Sequence, residues 1–254
     1  MKDEYALEAR FYDRIWGKYD YDTDVRFLDE LFKERNCRKI VDIGCGTGNH
    51  SIRLSKLDYK VTGADISPAM LKKAHSKDRD GKIRFIRGDM KELRTFIPKA
   101  RFDAAISLGQ VSSHLCIDEE VQVFLDGLHH ALKKDGLFVF SARNAMKISE
   151  EYLNKLMLDH AINEEKLQLA VLTHNNRDSQ DPDTIVWKPI YLIKESGKVD
   201  LQIREHKLRW YRFSTLKRLL VTSGFEIEAV YSGPLKEKFN EGAHLEMWFV
   251  ATAK

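Results

Sequence analysis

Seven residues, Asp42-Ile43-Gly44-Cys45-Gly46-Thr47-Gly48, carry the densest chemical signal in this 254-residue chain. A β-rich run leads into them and a helical stretch follows. Glycine at alternate positions lets backbone approach a ligand closely or adopt positive φ, both of which a side chain would obstruct. A crevice of this kind, beyond the carboxyl ends of parallel strands, is where open α/β sheets bind ligands. The spacing is D-x-G-x-G-x-G. The competing reading, a dinucleotide turn G-x-G-x-x-G, is disfavoured because Asn49 stands where its third glycine would fall. An acidic residue at the strand end suits a ligand that carries an ammonium and a sulfonium, and would repel a pyrophosphate.

Other residues able to do chemistry lie downstream. Asp65 and Asp89 each end a β-rich run. His114 follows the fourth such run in Val111-Ser112-Ser113-His114-Leu115, and an imidazole there titrates near neutrality, as a general base requires. Its other reading is a helix-start residue pointing to solvent. His206 sits in Arg204-Glu205-His206-Lys207-Leu208, either lining an acceptor pocket or exposed on a strand. His129 and His130 fall on a helix already explained by Phe124, Leu125, Leu128 and Leu132. No group of His, Cys and carboxylates has metal-ligand spacing, so no metal is expected. Cys37, Cys45 and Cys116 form no Cys-x-x-Cys pair and suggest no disulfide framework.

The elements that must position these residues alternate from Lys39 to Ser141. Strands are expected at Lys39–Ile43, Lys60–Asp65, Ile83–Arg87, Phe102–Ser107 and Leu137–Ser141, with helices near His50–Lys56, Pro68–Ser76 and Glu119–Lys133. This alternation implies a parallel sheet with helices on both faces. Ser67-Pro68 is a favoured helix start, and Asp135-Gly136 is expected to end the helix before the fifth strand. Residues Asp3 to Arg35 read as helix, with Tyr5, Phe11, Tyr12, Trp16 and Tyr19 near helical spacing. After Ser141 the pattern changes: a helix is expected over Ile148–His160, then β-rich stretches Leu167–Thr173, Thr184–Lys194 and Val199–Trp210. A helix at Thr215–Thr222, capped by Ser214 and ended by Gly224, and strands Phe225–Tyr231 and Leu245–Thr252 close the chain.

The stretch Asp42–Gly48 resembles the first motif of class I S-adenosylmethionine-dependent methyltransferases. Further landmarks follow in that family's order, strongly over residues 36–141 and moderately over the last 45 or so. The resemblance implies that Asp65 holds the ribose hydroxyls and that Ile66 and Met70, in Ile66-Ser67-Pro68-Ala69-Met70-Leu71, flank the adenine. Met70 equally suits the apolar inner face of its helix. Asp89 in Gly88-Asp89-Met90 would accept a bond from the adenine amino group, and Ser107-Leu108-Gly109 would lie beneath the methionine portion. Together with Asp42, Gly44, Cys45, Gly46, Gly48, Met90 and Tyr12 these form the expected cofactor site. Tyr12 is favoured over Tyr19 because related enzymes close an N-terminal helix over the methionine end. The implied fold is a single α/β domain spanning residues 1–254, a doubly wound, mostly parallel, seven-stranded Rossmann-like sheet. Residues 1–35 form an N-terminal helical cap, and residues 145–210 a small antiparallel sheet inserted after the fifth strand.

The segment around His114 is similar to one in methyltransferases acting on the amino group of deoxysugars, where the His lies by the acceptor. Lys and Arg number 42 against 39 Asp and Glu, and this near balance argues against a nucleic-acid backbone as main partner. No (D/N/S)-P-P-(Y/F) segment follows the fourth strand, no proline precedes a cysteine, and no basic tract appears. A small-molecule acceptor is therefore expected, amine or hydroxyl, walled off by the insertion, with an RNA or protein acceptor as the alternative. Trp187, Tyr191 and Trp210 would line that pocket or pack the small sheet. A charged N-terminus, reduced thiols and no apolar run of spanning length point to the cytoplasm, without membrane contact.

Overall fold

Ile40, Val41 and Ile43 are buried with their alternate side chains on opposite faces of one strand, which therefore lies inside a sheet covered on both sides. The computed structural model describes residues 3–254. Helices α1 (Ala6–Ile15) and α2 (Tyr21–Glu34) lead into β1 (Lys39–Ile43), α3 (Asn49–Lys56), β2 (Lys60–Asp65), α4 (Pro68–Lys77) and β3 (Arg84–Arg87). After these come α5 (Leu93–Phe96), β4 (Phe102–Ser107), α6 (Asp118–Ala131) and β5 (Leu132–Arg143). The insertion contributes β6 (Leu156–Asn163), β7 (Leu167–Arg177), β8 (Thr184–Glu195), β9 (Lys198–Ile203) and β10 (His206–Arg209). The chain returns to the main fold with α7 (Phe213–Thr222), β11 (Phe225–Tyr231) and β12 (Glu246–Ala253).

The main sheet runs β11-β12-β5-β4-β1-β2-β3, parallel except at β12, which is antiparallel to both neighbours. Val121, Phe124, Leu125 and Leu128 of α6, with Leu216, Leu219 and Leu220 of α7, cover one face. Val25, Leu28, Leu31 and Phe32 of α2, with Leu54 of α3, cover the other. This is the doubly wound α/β arrangement expected. A strand order that reverses between β1 and β4 opens a crevice at their carboxyl ends, directly above Gly44 and Ser107.

The insertion is a separate antiparallel sheet ordered β10-β8-β7-β6, with β9 also paired to β8. Leu167, Leu169, Val171, Tyr191 and Ile193 form its inner face, and Phe11 of α1 is buried against them. The N-terminal helix thus packs on the insertion. Tyr191 packs the small sheet, and Trp210 joins Ala145, Leu153 and Ile185 in a second, smaller core. No helix among the described residues is long and apolar enough to cross a membrane.

Several boundaries differ from expectation. The N-terminal stretch is two helices, because Gly17 and the residues after it break the first one. A Cβ at Gly17 would lie 2.5 Å from the Asp13 carbonyl, and the Asp20 carboxylate accepts from the Thr23 amide to cap the second helix. Ile148–His160 is not a helix: a 3-10 turn at Ala145–Lys147 precedes an extended segment that enters β6, where pairing with β7 outweighs the local pattern. Val199–Trp210 is two strands rather than one. Helix α6 ends at Ala131, and Asp135 takes a left-handed φ of +60° inside β5 instead of terminating the helix. Helix α7 begins at Phe213, one residue before the expected Ser214 cap, with Arg212 at its N-cap.

Candidate functional site

The glycine turn is tied to its neighbouring strand. The amides of Gly44 and Cys45 donate to the Ala64 carbonyl at 2.8 and 3.1 Å, and Gly44, Gly46 and Gly48 all adopt positive φ. Two of these glycines have different spatial reasons. A Cβ at Gly44 would lie 2.4 Å from Val111 Cγ1, so the turn can reach the β4 loop only without one. A Cβ at Gly46 or at Gly109 would meet nothing within 4 Å, and both backbones therefore border open space.

Asp65 frames that space. Its two oxygens accept from the amides of Gly46 and Ser67, each at 2.8 Å, while burial pushes its carboxyl above the usual carboxylate range. Ile66 beside it stays 46 % exposed, which is unusual for so large an apolar side chain next to a core strand. Met70 is buried on α4, whose start is capped by the Ser67 hydroxyl. Asp89 is half-buried and accepts from the Lys91 amide at 2.9 Å, and Met90 packs on the core. Ser107 is fully buried with a hydroxyl that meets no partner, and Leu108 is part of the core. Asp42 turns away from the crevice: it shares the Ile40 face, is 2 % exposed, and accepts from the Ser51 hydroxyl of α3 at 2.6 Å. There it braces the turn from below. Cys45 is buried beneath the turn, and burial raises its thiol well above the ordinary value.

Helix α1 is latched across the turn at two points. Asp3 accepts from the Ser67 hydroxyl and the Ala69 amide at 3.0 and 2.9 Å. Asp13 accepts from Thr47 Oγ1 at 2.6 Å and from Lys77 Nζ at 2.8 Å, and Lys77 also reaches Thr47 and Asn49. Burial draws the Asp13 carboxyl upward, but Lys77 and Thr47 hold it below the usual range. Between the latches Tyr12 is half-buried, and its desolvation raises the phenol.

Three distant segments meet beside this cleft. Tyr5 Oη lies 3.2 Å from His114 Nδ1, and the Tyr5 ring stacks on His206 at 5.5 Å. Trp187 also stacks on His206, at 5.4 Å, so one ring of the three proposed pocket aromatics faces the site while Tyr191 and Trp210 do not. His206 Nε2 lies 3.4 Å from Glu8 Oε1. The turn that carries His114 is held by Tyr211, whose buried hydroxyl sits 2.7 and 2.6 Å from the carbonyls of Ser112 and Leu115. Burial, then the nearby His206, brings the His114 imidazole down to about 4. Burial, reinforced by Glu4, Asp65 and Glu8, pushes the Tyr5 phenol up to about 12. At neutral pH the pair is an uncharged imidazole facing a protonated phenol.

Residues 40–136 match the model of a methyltransferase domain. Residues 40–136 are thus a methyltransferase domain. A putative methyltransferase of Geobacillus sp. (strain WCH70) is 25% identical over 238 residues, covering 88% of this chain and 89% of that one. A glycine/sarcosine N-methyltransferase of Aphanothece halophytica is 33% identical over 131 residues, about half of each chain (51% and 49%). A solved S-adenosylmethionine-dependent methyltransferase from Clostridium acetobutylicum superposes with a TM-score of 0.82 at 19% identity, covering 98% of both chains.

S-adenosylmethionine is the cofactor named for that solved structure, and the residues here fit such a group: Gly46 and Gly109 border open space, with the Asp65 carboxylate and the exposed Ile66 beside it. Sequence reasoning missed Tyr5 and Glu8 as site residues. The signal was present, since Tyr5, Glu8 and Tyr12 recur at helical i, i+3, i+7 spacing and lie on one face of α1.

Proposed function

We propose that this methyltransferase acts on a small-molecule acceptor, an amine in preference to a hydroxyl, seated between the glycine turn and the inner face of the insertion. S-adenosylmethionine supplies a methyl already activated on a sulfonium. Gly46, Asp65, Ile66, Asp89, Met90, Ser107, Gly109 and Tyr12 would hold it, with Gly44, Gly48, Met70 and Leu108 shaping the walls and Asp42 and Cys45 supporting the turn from beneath rather than touching the cofactor. The protein's own work is then orientation and water exclusion. Helix α1, latched through Asp3 and Asp13, closes one side and the insertion another.

The observation that carries this reading is the meeting of Tyr5, His114, His206 and Trp187 beside the cleft. In the tautomer with Nδ1 unprotonated, a neutral His114 accepts a hydrogen bond from the Tyr5 hydroxyl and fixes the phenol beside the cleft. An imidazole held near 4 is too weak a base to strip a hydroxyl, whereas an amine nitrogen needs only its neutral form at the moment of attack. The glycine/sarcosine specificity of one relative points the same way. The near-balanced charge favours a small molecule over nucleic acid, and three free cysteines favour the cytoplasm.

The test is methyl transfer from isotope-labelled S-adenosylmethionine to a panel of small amines, small alcohols, total RNA and cell protein. Label on a small amine is expected. Label confined to RNA or protein contradicts the reading. The His114→Ala variant is expected to slow transfer while cofactor affinity by calorimetry stays the same.

A further inference from the structure

Glu8 of α1 faces inward beside His206 and is only 9 % exposed. Its Oε1 meets His206 at a long 3.4 Å, and its Oε2 is buried with no hydrogen-bond partner among the described residues. A buried carboxylate oxygen left unpaired loses its hydration without compensation, which a folded protein tolerates at few places. The groups around it explain what would compensate. Tyr5 and Trp187 both stack on the His206 ring, and this stacking holds His206 Nε2 against Glu8. Among the described residues no lysine or arginine pairs with Glu8, and its one ionisable partner, His206, lies against Oε1. Oε2 is the atom left without a donor.

We propose that Glu8 is the specificity-determining residue of the acceptor pocket, its free Oε2 accepting the N–H of a small amine that enters as an ammonium against Tyr5, His206 and Trp187. This rests on the reading above that the cleft is the methyl-transfer site, and it adds both the acceptor's charge state and the group that takes its proton. An ammonium has no lone pair, so it must give up one proton before it can react, and Glu8 Oε2 is placed to take it. The nitrogen lone pair so exposed forms the new N–C bond as the methyl's bond to sulfur breaks, with that electron pair staying on sulfur. The product departs as the methylated ammonium, and Glu8 releases its proton to solvent.

The experiment measures binding rather than turnover. Benzylamine and benzyl alcohol, matched in shape, are titrated at pH 7 into the full chain saturated with S-adenosylhomocysteine, followed by ligand-observed NMR. Wild type should bind benzylamine at least about tenfold more tightly than the alcohol, the discrimination typical of a charge-assisted hydrogen bond. Glu8→Gln should bring the ratio to within about twofold while S-adenosylhomocysteine affinity is unchanged. Glu8→Met, neutral and of similar length, gives the same readout if the Gln variant does not fold. Equal binding of amine and alcohol by wild type, no binding of either, or a ratio that survives both substitutions overturns the proposal. Failure of wild type to bind S-adenosylhomocysteine counts instead against the site itself.

Discussion

Substituting the glycines of the turn one at a time separates a fold role from a cofactor role. At Gly46 an alanine must adopt a φ of +54°, which costs about 1–2 kcal/mol for a residue with a Cβ, and the new methyl otherwise points into open space. At Gly44 the same strain applies at φ +73°, and the methyl also lands 2.4 Å from Val111 Cγ1. Overpacking of that kind adds roughly 1–3 kcal/mol. Gly46→Ala should therefore lower Tm by roughly 2–8 °C for a chain of this size, and Gly44→Ala by clearly more. The order reverses for ligand binding per unit of stability lost. Gly46→Ala puts its methyl where the cofactor must lie, so calorimetry should show S-adenosylmethionine affinity falling at least about tenfold in a protein that remains folded. A Gly46→Ala variant with wild-type affinity would refute the assignment of that open space to the cofactor. A Gly46→Ala variant less stable than Gly44→Ala would refute the packing argument.

Two further outcomes follow from the same geometry. The His114 imidazole sits near 4 in the folded chain against 6.5 when exposed, so the unfolded chain binds its proton first as pH falls. Its contribution, about 3 kcal/mol, is fully present above pH 6.5 and is lost progressively between 6.5 and about 4. NMR titration should find this imidazole neutral at pH 5.5, and a midpoint near 6.5 would contradict its burial against Tyr5. Asp13→Ala removes the partner of Thr47 and Lys77 and should loosen α1, seen as faster hydrogen exchange over residues 6–15 with exchange in β1 unchanged. Equal exchange in both proteins would show that Asp13 does not latch the helix.

Much of the architecture is local enough to be legible in the sequence. Strands β1 to β4 announce themselves by short β-branched and apolar runs, and the glycine spacing after β1 is decided within seven residues. The insertion is less legible for a physical reason. Leu156 and Leu158 of β6 are about 60% and 61% exposed, and a register shift between Leu158 and His160 breaks the alternation that would mark a strand. The spacing of its apolar residues then passes for helix. Asp42 illustrates a different limit. Its position at a strand end suggests a ligand, but strand periodicity places it with Ile40 on the face toward α3, where Ser51 engages it. Glu8 and His206 lie 198 positions apart, and only folding of the insertion over α1 brings them together.

The most direct measurement is calorimetric titration of S-adenosylmethionine, and separately of NADH, into wild type and Asp65→Asn. Wild type should bind one equivalent of S-adenosylmethionine and no NADH, and loss of the Asp65 charge should weaken the cofactor by at least about tenfold. Binding of NADH, or S-adenosylmethionine affinity indifferent to Asp65, would contradict the placement of the methyl donor at the Gly44–Gly48 turn.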